Sequence, residues 1–470
     1  MNGMNEKYNA LRRRYPVFAY EAFHHEWTPE GLRLCFDFRM DDVVFHPEAL
    51  IEERPFLSRE VPAEALDRMV FDIGMIELIS YWKCACPPTV EVRCGTLTDG
   101  QVAFWKKLYW NGLGEFFYTN GISETQKAFL KVESGEWRVE NKAGSGCVAP
   151  LSTLRSPLST QYLVPIGGGK DSVVTLELLR RAGKTIRPLI MNPRGATIEC
   201  ARVAGFTLEE VLVIRRKIDP TLLELNKQGY LNGHTPFSAM LAFYTRLASA
   251  LSGIPNVALS NESSANESTV IGTSVNHQYS KSLEFEDDFR RYVRPTSPLE
   301  GGMGGDFNYF SFLRPLSELQ IAMLFSRFTA YHDVFRSCNV GSKEDIWCGH
   351  CAKCLFAYII LSPFIEPTRL NQIFGKSMLD DETLRLEFDQ LRGEAETKPF
   401  ECVGTVSEVN QALSMTLRRW YPVARPALLR NLELSAALDN LETLEHLEPQ
   451  GNLTPEEFNI LQQACTEKNN

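Results

Sequence analysis

Six consecutive residues, Gly167-Gly168-Gly169-Lys170-Asp171-Ser172, bring together a bare backbone, a cation, an acid and a hydroxyl. The glycines admit positive φ and let a ligand approach the amides closely. Residues 162–166 form an apolar run suited to a buried strand, and Val173, Leu176 and Leu179 recur at helical spacing afterwards. Strand, turn and a helix starting near Asp171 or Ser172 are predicted, with the unpaired first-turn amides and the positive helix end aimed at an anion such as phosphate. The spacing is not that of a Walker loop, which needs Ser or Thr where Asp171 stands. Nor is it a dinucleotide fingerprint, which needs glycine where Ser172 stands. A Gly-rich turn that merely reverses the chain is the bland alternative.

Cys338 followed by Cys348, Cys351 and Cys354 offers four thiolates at spacings of ten, three and three. Such a set suits tetrahedral Zn²⁺, and a complete four-cysteine shell leaves no open position, so the zinc is expected to be structural. A redox Cys-x-x-Cys is the lesser alternative, because three cysteines stand in series. Cys402 lies outside the set, as a reactive thiol or a buried structural one. His234 and His277 lie in loops rather than on apolar faces, where functional residues concentrate. Glu262, just past a predicted strand, is placed for Mg²⁺ or substrate, with a solvated turn carboxylate as the alternative.

These residues need elements to position them. From residue 156 to 375 strand and helix patterns alternate: strands at 186–191, 210–214 and 256–260, helices at 196–204, 221–228 and 237–251. Alternation predicts an α/β domain with a doubly wound parallel sheet, ligands sitting at the carboxyl ends of its strands. Residues 1–155 read as a separate α+β domain, with a hairpin at 31–38 and 42–45, a helix over 62–84 and a strand at 89–94. Aromatic residues within 110–121 are expected in a partly buried strand, with a pocket wall as the alternative. Residues 376–470 read as a helical segment, with helices at 382–391, 406–417 and 426–444.

The chain has 470 residues, 44% hydrophobic and 23% charged, with a formal net charge of −10. That is an ordinary globular composition. The acidic balance, without a dense Lys/Arg block, argues against nucleic acid as a partner. Residues 1–20 are polar and carry Arg12, Arg13 and Arg14 without a following apolar run, so no secretory signal is read. The longest apolar stretch, 354–365, is too short for a bilayer and is interrupted by Ser362 and Pro363. A soluble, cytoplasmic protein with no membrane partner is expected. Twelve cysteines in such a chain suggest metal binding or catalysis rather than a disulfide scaffold.

Gly168, Gly169, Asp171 and Ser172 meet the Ser-Gly-Gly-x-Asp-Ser pattern of the PP-loop ATP pyrophosphatases, with Gly167 in place of the first serine. The resemblance implies an adenine nucleotide alpha hydrolase-like sheet and ATP cleavage between the α- and β-phosphates. In such families Lys170 and the loop amides hold the departing phosphates, Asp171 is placed for Mg²⁺, and Met191 and Asn192 stand where adenine is held. The cysteine set resembles the zinc site of 7-cyano-7-deazaguanine synthase, another PP-loop enzyme.

Taken with Gly233-His234-Thr235-Pro236, Ser260-Asn261-Glu262 and the N-terminal α+β unit, the chain looks like the UDP-N-acetylmuramoyl-L-alanyl-L-glutamate epimerase family, MurL. The resemblance implies inversion of the terminal L-glutamate of UDP-MurNAc-L-Ala-L-Glu for peptidoglycan synthesis, dependent on ATP and Mg²⁺. The expected steps are adenylation of the α-carboxylate, removal of the Cα proton, its return from the other face, and hydrolysis. His234 and His277 lead as acid/base candidates, followed by Lys281 and Cys402; Arg194 and Arg314 are candidates for the uridine diphosphate. Three readings compete. A nucleobase- or tRNA-modifying PP-loop enzyme shares the loop and the cysteines. A glutamine-dependent amidotransferase is expected to expose an N-terminal Cys, where this chain has Met1-Asn2. A non-catalytic nucleotide sensor or scaffold binds ATP without forming AMP. Oligomeric state is left open.

Overall fold

The computed structural model describes residues 2–135, 160–266, 278–294, 307–401, 403–432, 444–447 and 449–467. It is an α/β protein with a mixed sheet of eleven strands. The chain divides into two compact units. The first comprises residues 1–161, 214–256 and 284–308, and the second 162–213, 257–283 and 309–470.

The first unit begins with α1 (Asn2–Arg14), followed by β1 (Val17–Thr28) and β2 (Gly31–Met40). In β2 every second side chain, Leu32, Leu34, Phe36, Phe38 and Met40, is buried, the period-two signature of a half-buried strand. Gly31 sits at φ +135°, and a Cβ there would lie 2.0 Å from the Ile51 carbonyl oxygen, so only glycine fits the turn. β3 (Val43–Phe45) pairs antiparallel with β2, the expected hairpin, and β4 (Glu48–Glu52) pairs antiparallel with β2 as well. α2 (Ala63–Trp82) is buried over most of its circumference, and its buried acids Asp72 and Glu77 are paired accordingly. Glu77 meets Arg216 at 2.6 Å and the Tyr244 hydroxyl at 3.0 Å. Asp72 meets Arg246 at 2.9 Å and the Tyr292 hydroxyl at 2.7 Å. β5 (Thr89–Val92) runs parallel to β1. α3 (Asp99–Gly112) and α4 (Gly114–Thr119) follow, then β6 (Lys131–Ser134).

The aromatic stretch 110–121 is therefore helical, not the strand expected from its composition. Phe116 and Phe117 are both buried, and Phe117 packs with Trp110 at 5.0 Å between ring centroids. Tertiary burial of these rings overrides their β-propensity.

The second unit opens with β7 (Gln161–Pro165), α5 (Lys170–Arg181), β8 (Thr185–Met191), α6 (Gly195–Val203) and β9 (Leu212–Lys217). β9 starts two residues later than expected, because Thr207 and Glu210 form a capping box on a 3₁₀ turn at 208–210. The last residues of β9, with α7 (Pro220–Lys227) and α8 (Phe237–Ser252), return to the first unit. β10 (Asn256–Leu259), α9 (Leu283–Val293) and β11 (Asn308–Ser311) come next. Strand order here is β11-β10-β7-β8-β9, so the chain builds outward from β7 first on one side and then on the other. β7 stands at the reversal, where ligand crevices of α/β sheets occur.

The second unit ends in helices α10 (Glu318–Ser326), α11 (Ala352–Leu361), α12 (Pro367–Phe374), α13 (Arg385–Arg392), α14 (Val406–Trp420) and α15 (Pro455–Thr466). The helix expected over 426–444 is a 3₁₀ turn at Ala427–Leu429 in its described part; residues 433–443 lie outside the described residues. Among the described residues no helix is long and apolar enough to cross a membrane.

Candidate functional site

Gly167–Ser172 lie between β7 and α5, and the helix begins at Lys170, one residue before the expected start. Gly168 adopts φ +81°, and a Cβ there would lie 3.0 Å from the Ala196 Cβ and 3.1 Å from the Thr197 nitrogen. Glycine is required on both counts. A Cβ on Gly167 would meet nothing within 4 Å, so the serine of the family pattern would project into open space. Three bonds pin the loop: Arg336 N–H to the Gly168 carbonyl at 2.8 Å, Arg194 Nη2 to the Gly167 carbonyl at 3.0 Å, and Ser172 Oγ to the Gly169 carbonyl at 3.0 Å. α5 starts here, and the first turn of a helix leaves its amides unpaired, an arrangement that suits an anion.

Lys170 is buried and donates to the carboxylates of both Asp171 and Glu318. Burial opposes its charge, yet Asp171 and Glu318 outweigh it and raise its pKa. Burial likewise works against ionised Asp171, but Lys170, helped by Lys353 and Lys281, holds it below the usual carboxylate range. Burial pushes Glu318 up to about 8 despite Lys170, with Asp171 and Glu262 acting in the same direction. Several carboxylates share few cations here, and burial raises Glu408 as well as Glu318. Its backbone N–H donates to Glu408 Oε1 at 2.7 Å, while Glu408 Oε2 caps α14 through Thr405 N at 2.7 Å. The C-terminal helices thereby reach the phosphate loop.

Glu262 is buried rather than solvated, and accepts from Ser264 Oγ at 2.9 Å. Arg314 is fully buried and donates to the Glu262 carbonyl at 2.7 Å, to Ser311 Oγ at 3.1 Å and to the Lys281 carbonyl at 2.5 Å. This corrects its reading as a uridine diphosphate ligand: the guanidinium is used in tying three segments together. Met191 ends β8, and Asn192 follows it in the left-handed region at φ 52° with its side chain exposed. Arg194, the N-cap residue of α6, reaches the phosphate loop itself. His277 and Cys402 lie outside the described residues.

The sulfurs of Cys338, Cys348, Cys351 and Cys354 all lie within 4.8 Å of one another. Individual separations are 3.9 Å for Cys338 to Cys351, 3.7 Å for Cys348 to Cys354 and 3.5 Å for Cys351 to Cys354. Zinc–sulfur bonds of about 2.3 Å in a tetrahedron require sulfur–sulfur edges of about 3.8 Å. The set can hold a metal such as zinc. Cys351 is the N-cap of α11 and accepts from Cys354 N at 3.4 Å.

In the first unit, Lys83 follows α2 and is buried. Its ammonium donates to the Gly233 carbonyl and to Thr235 Oγ1 at 2.6 Å, clamping the segment that carries His234. Burial lowers its pKa to about 8, with Arg216 adding and Glu115 opposing. His234 Nδ1 lies 3.7 Å from Glu115 Oε2. Glu115 lies in the first turn of α4, whose Phe116 side chain would lie 3.2 Å from a Cβ on Gly233. The aromatic stretch thus packs against the segment that carries His234.

Glu318, Glu408, Lys83 and Glu115 carry no sequence signal of their place here. Glu318 is the first residue of α10, after the N-cap Ser317, where helix-starting acids ordinarily stand. For Lys353 alone there was a hint, its place between Cys351 and Cys354.

Comparison with known proteins gives two family models in succession, the MurL N-terminal domain over residues 9–312 and the MurL C-terminal domain over 334–441. A UDP-N-acetyl-alpha-D-muramoyl-L-alanyl-L-glutamate epimerase of Xanthomonas oryzae pv. oryzae is 36% identical over 373 residues, 78% of each chain. The enzyme of the same name from Salinispora tropica is 38% identical over 356 residues, 74% of this chain and 73% of its own. That from a Micromonospora strain is 34% identical over 369 residues, 76% and 78%. No solved structure matches.

Proposed function

The chain belongs to the MurL epimerase family, and from that premise we propose that it inverts the terminal L-glutamate of UDP-MurNAc-L-Ala-L-Glu to D-glutamate, serving peptidoglycan synthesis. The proposed location is the cytoplasm. The proposed second-unit fold is the doubly wound sheet of PP-loop ATP pyrophosphatases, with β7 carrying the loop.

The proposed reaction uses ATP. A glutamyl α-carboxylate oxygen attacks the α-phosphorus, the bond to the β-phosphate oxygen breaks, and pyrophosphate leaves. The mixed anhydride no longer carries the carboxylate charge, so its Cα proton becomes removable. A base takes that proton, an acid returns one from the other face, and water then attacks the acyl carbon, breaking its bond to the bridging oxygen to give AMP and the D-glutamyl product. Amides of Gly167–Ser172 and the ammonium of Lys170 stabilise charge on the leaving pyrophosphate. Met191 and Asn192 border the adenine. Asp171 and Glu262 supply oxygen donors of the kind Mg²⁺ takes, and that ion neutralises phosphate oxygens when bound. Among the described residues His234 and Lys281 are the proton-transfer candidates; His277 and Cys402 complete the set from sequence. Zinc on the four cysteines has a structural role.

The observation that carries this reading is Lys170, a buried ammonium in the first turn of α5, held by carboxylates beside a glycine turn. Phosphate oxygens can take over those contacts. The test is isotope transfer: with ¹⁸O in the glutamyl α-carboxylate, one label is expected in the phosphate of AMP. AMP free of label, formed alongside product, would rule out carboxylate adenylation.

A further inference from the structure

The four cysteines and the phosphate loop are mechanically joined. Arg336 N–H holds the Gly168 carbonyl at 2.8 Å, Ser337 Cβ stands 3.4 Å from where a Gly169 side chain would begin, and Cys338 is a member of the cysteine set. Three consecutive residues thus run from loop to metal site. Across that site, Cys338 Sγ is 3.9 Å from Cys351 Sγ, and Cys351 caps α11. Lys353 is the second residue of that helix.

Lys353 Nζ lies 5.4 Å from the centroid of the Phe356 ring. Phe356 Cε2 is 3.2 Å from the Cβ position of Gly404, and Glu318 Cγ is 3.0 Å from the same point. Lys353 therefore stands by the wall on which Glu318, the partner of Lys170, is mounted. Its charge is felt there, drawing the carboxyls of Asp171 and Glu318 downward. A departing pyrophosphate carries more charge than one ammonium balances, and Lys170 is already shared between two acids.

We propose that Lys353, held in place by the metal-bound cysteines, is a second triphosphate-binding lysine that grips the β- and γ-phosphates of ATP opposite Lys170. The metal then positions a binding group as well as stabilising the fold. This rests on the ATP-dependent reading above.

The full-length protein is titrated with ATP and Mg²⁺, and separately with AMP, without the UDP-linked substrate; bound zinc is measured in each variant. Lys353→Gln is expected to weaken ATP by about tenfold and Lys353→Arg by less than about threefold, as for loss and retention of a buried charge contact. AMP affinity and zinc content are expected to be unchanged in both. Equal ATP affinity in Lys353→Gln and the unchanged protein would overturn the proposal. So would equal losses in the two variants, a matching loss for AMP, or loss of zinc from Lys353→Gln, each of which assigns the lysine a structural role. Failure of the unchanged protein to bind ATP would remove the reading beneath it as well.

Discussion

The ammonium of Lys170 and the carboxylate of Glu318 share a buried hydrogen bond across 148 positions of sequence. Burial pushes Glu318 up to about 8. When phosphates draw Lys170 away and add negative charge nearby, the proton affinity of Glu318 rises further. ATP binding without Mg²⁺ at pH 8 is therefore expected to take up about half a proton. Calorimetry in two buffers of different ionisation enthalpy measures this, and Glu318→Gln is expected to abolish it.

The same group sets a pH dependence of stability. Its folded pKa of about 8 lies above the ordinary 4.5, so the unfolded chain releases the proton first as pH rises. Stability from this group falls with pH across that window and levels off above it. Denaturant midpoints from pH 5 to 9 are expected to decline less in Glu318→Gln than in the unchanged protein.

Neighbouring glycines of the loop are expected to respond differently. Gly168→Ala places a Cβ 3.0 Å from the Ala196 Cβ at positive φ, which costs about 1–3 kcal/mol. Gly167→Ser restores the serine of the PP-loop pattern in open space, and its stability is expected within about 0.5 kcal/mol of the original. Thermal melts compare the two, and ATP affinity should survive only in the second.

Lys83 clamps the segment carrying His234. Lys83→Met leaves the Gly233 carbonyl and Thr235 hydroxyl without their donor, a loss of about 1–3 kcal/mol. The folded pKa near 8 lies below the ordinary 10.5. The unfolded chain then holds a proton that the folded chain has released, so rising pH favours folding between those values. Urea titrations at pH 7.5 and 10 are expected to show this gain in the unchanged protein and not in Lys83→Met.

Cys351→Ser is expected to lose bound zinc and to melt at lower temperature, whereas Cys35→Ser, in β2 and not a member of the cysteine set, keeps the metal. Metal analysis with thermal melts decides this.

Much of the site was legible because it is local in sequence. Glycines followed by Lys170 and a periodic helix, and Cys348, Cys351 and Cys354 at intervals of three, carry their geometry in their spacing. Asp72 and Glu77 on α2, and Lys170 with Glu318, were illegible because each partner comes from a distant segment. Composition misled at 110–121, where burial of Phe116 and Phe117 decided for helix over strand. Arg314 read as a candidate for the uridine diphosphate because nothing local shows that the carbonyls of Glu262 and Lys281 converge on it.

The most direct measurement is incubation of the protein with UDP-MurNAc-L-Ala-L-Glu, ATP and Mg²⁺ in D₂O, following AMP, the configuration of the glutamate and deuterium at its Cα. Expected are AMP, D-glutamate in the product and deuterium at Cα, all requiring ATP. Unchanged L-glutamate with neither AMP nor deuterium would contradict the proposed epimerase reaction, and inversion without AMP would contradict its adenylation step.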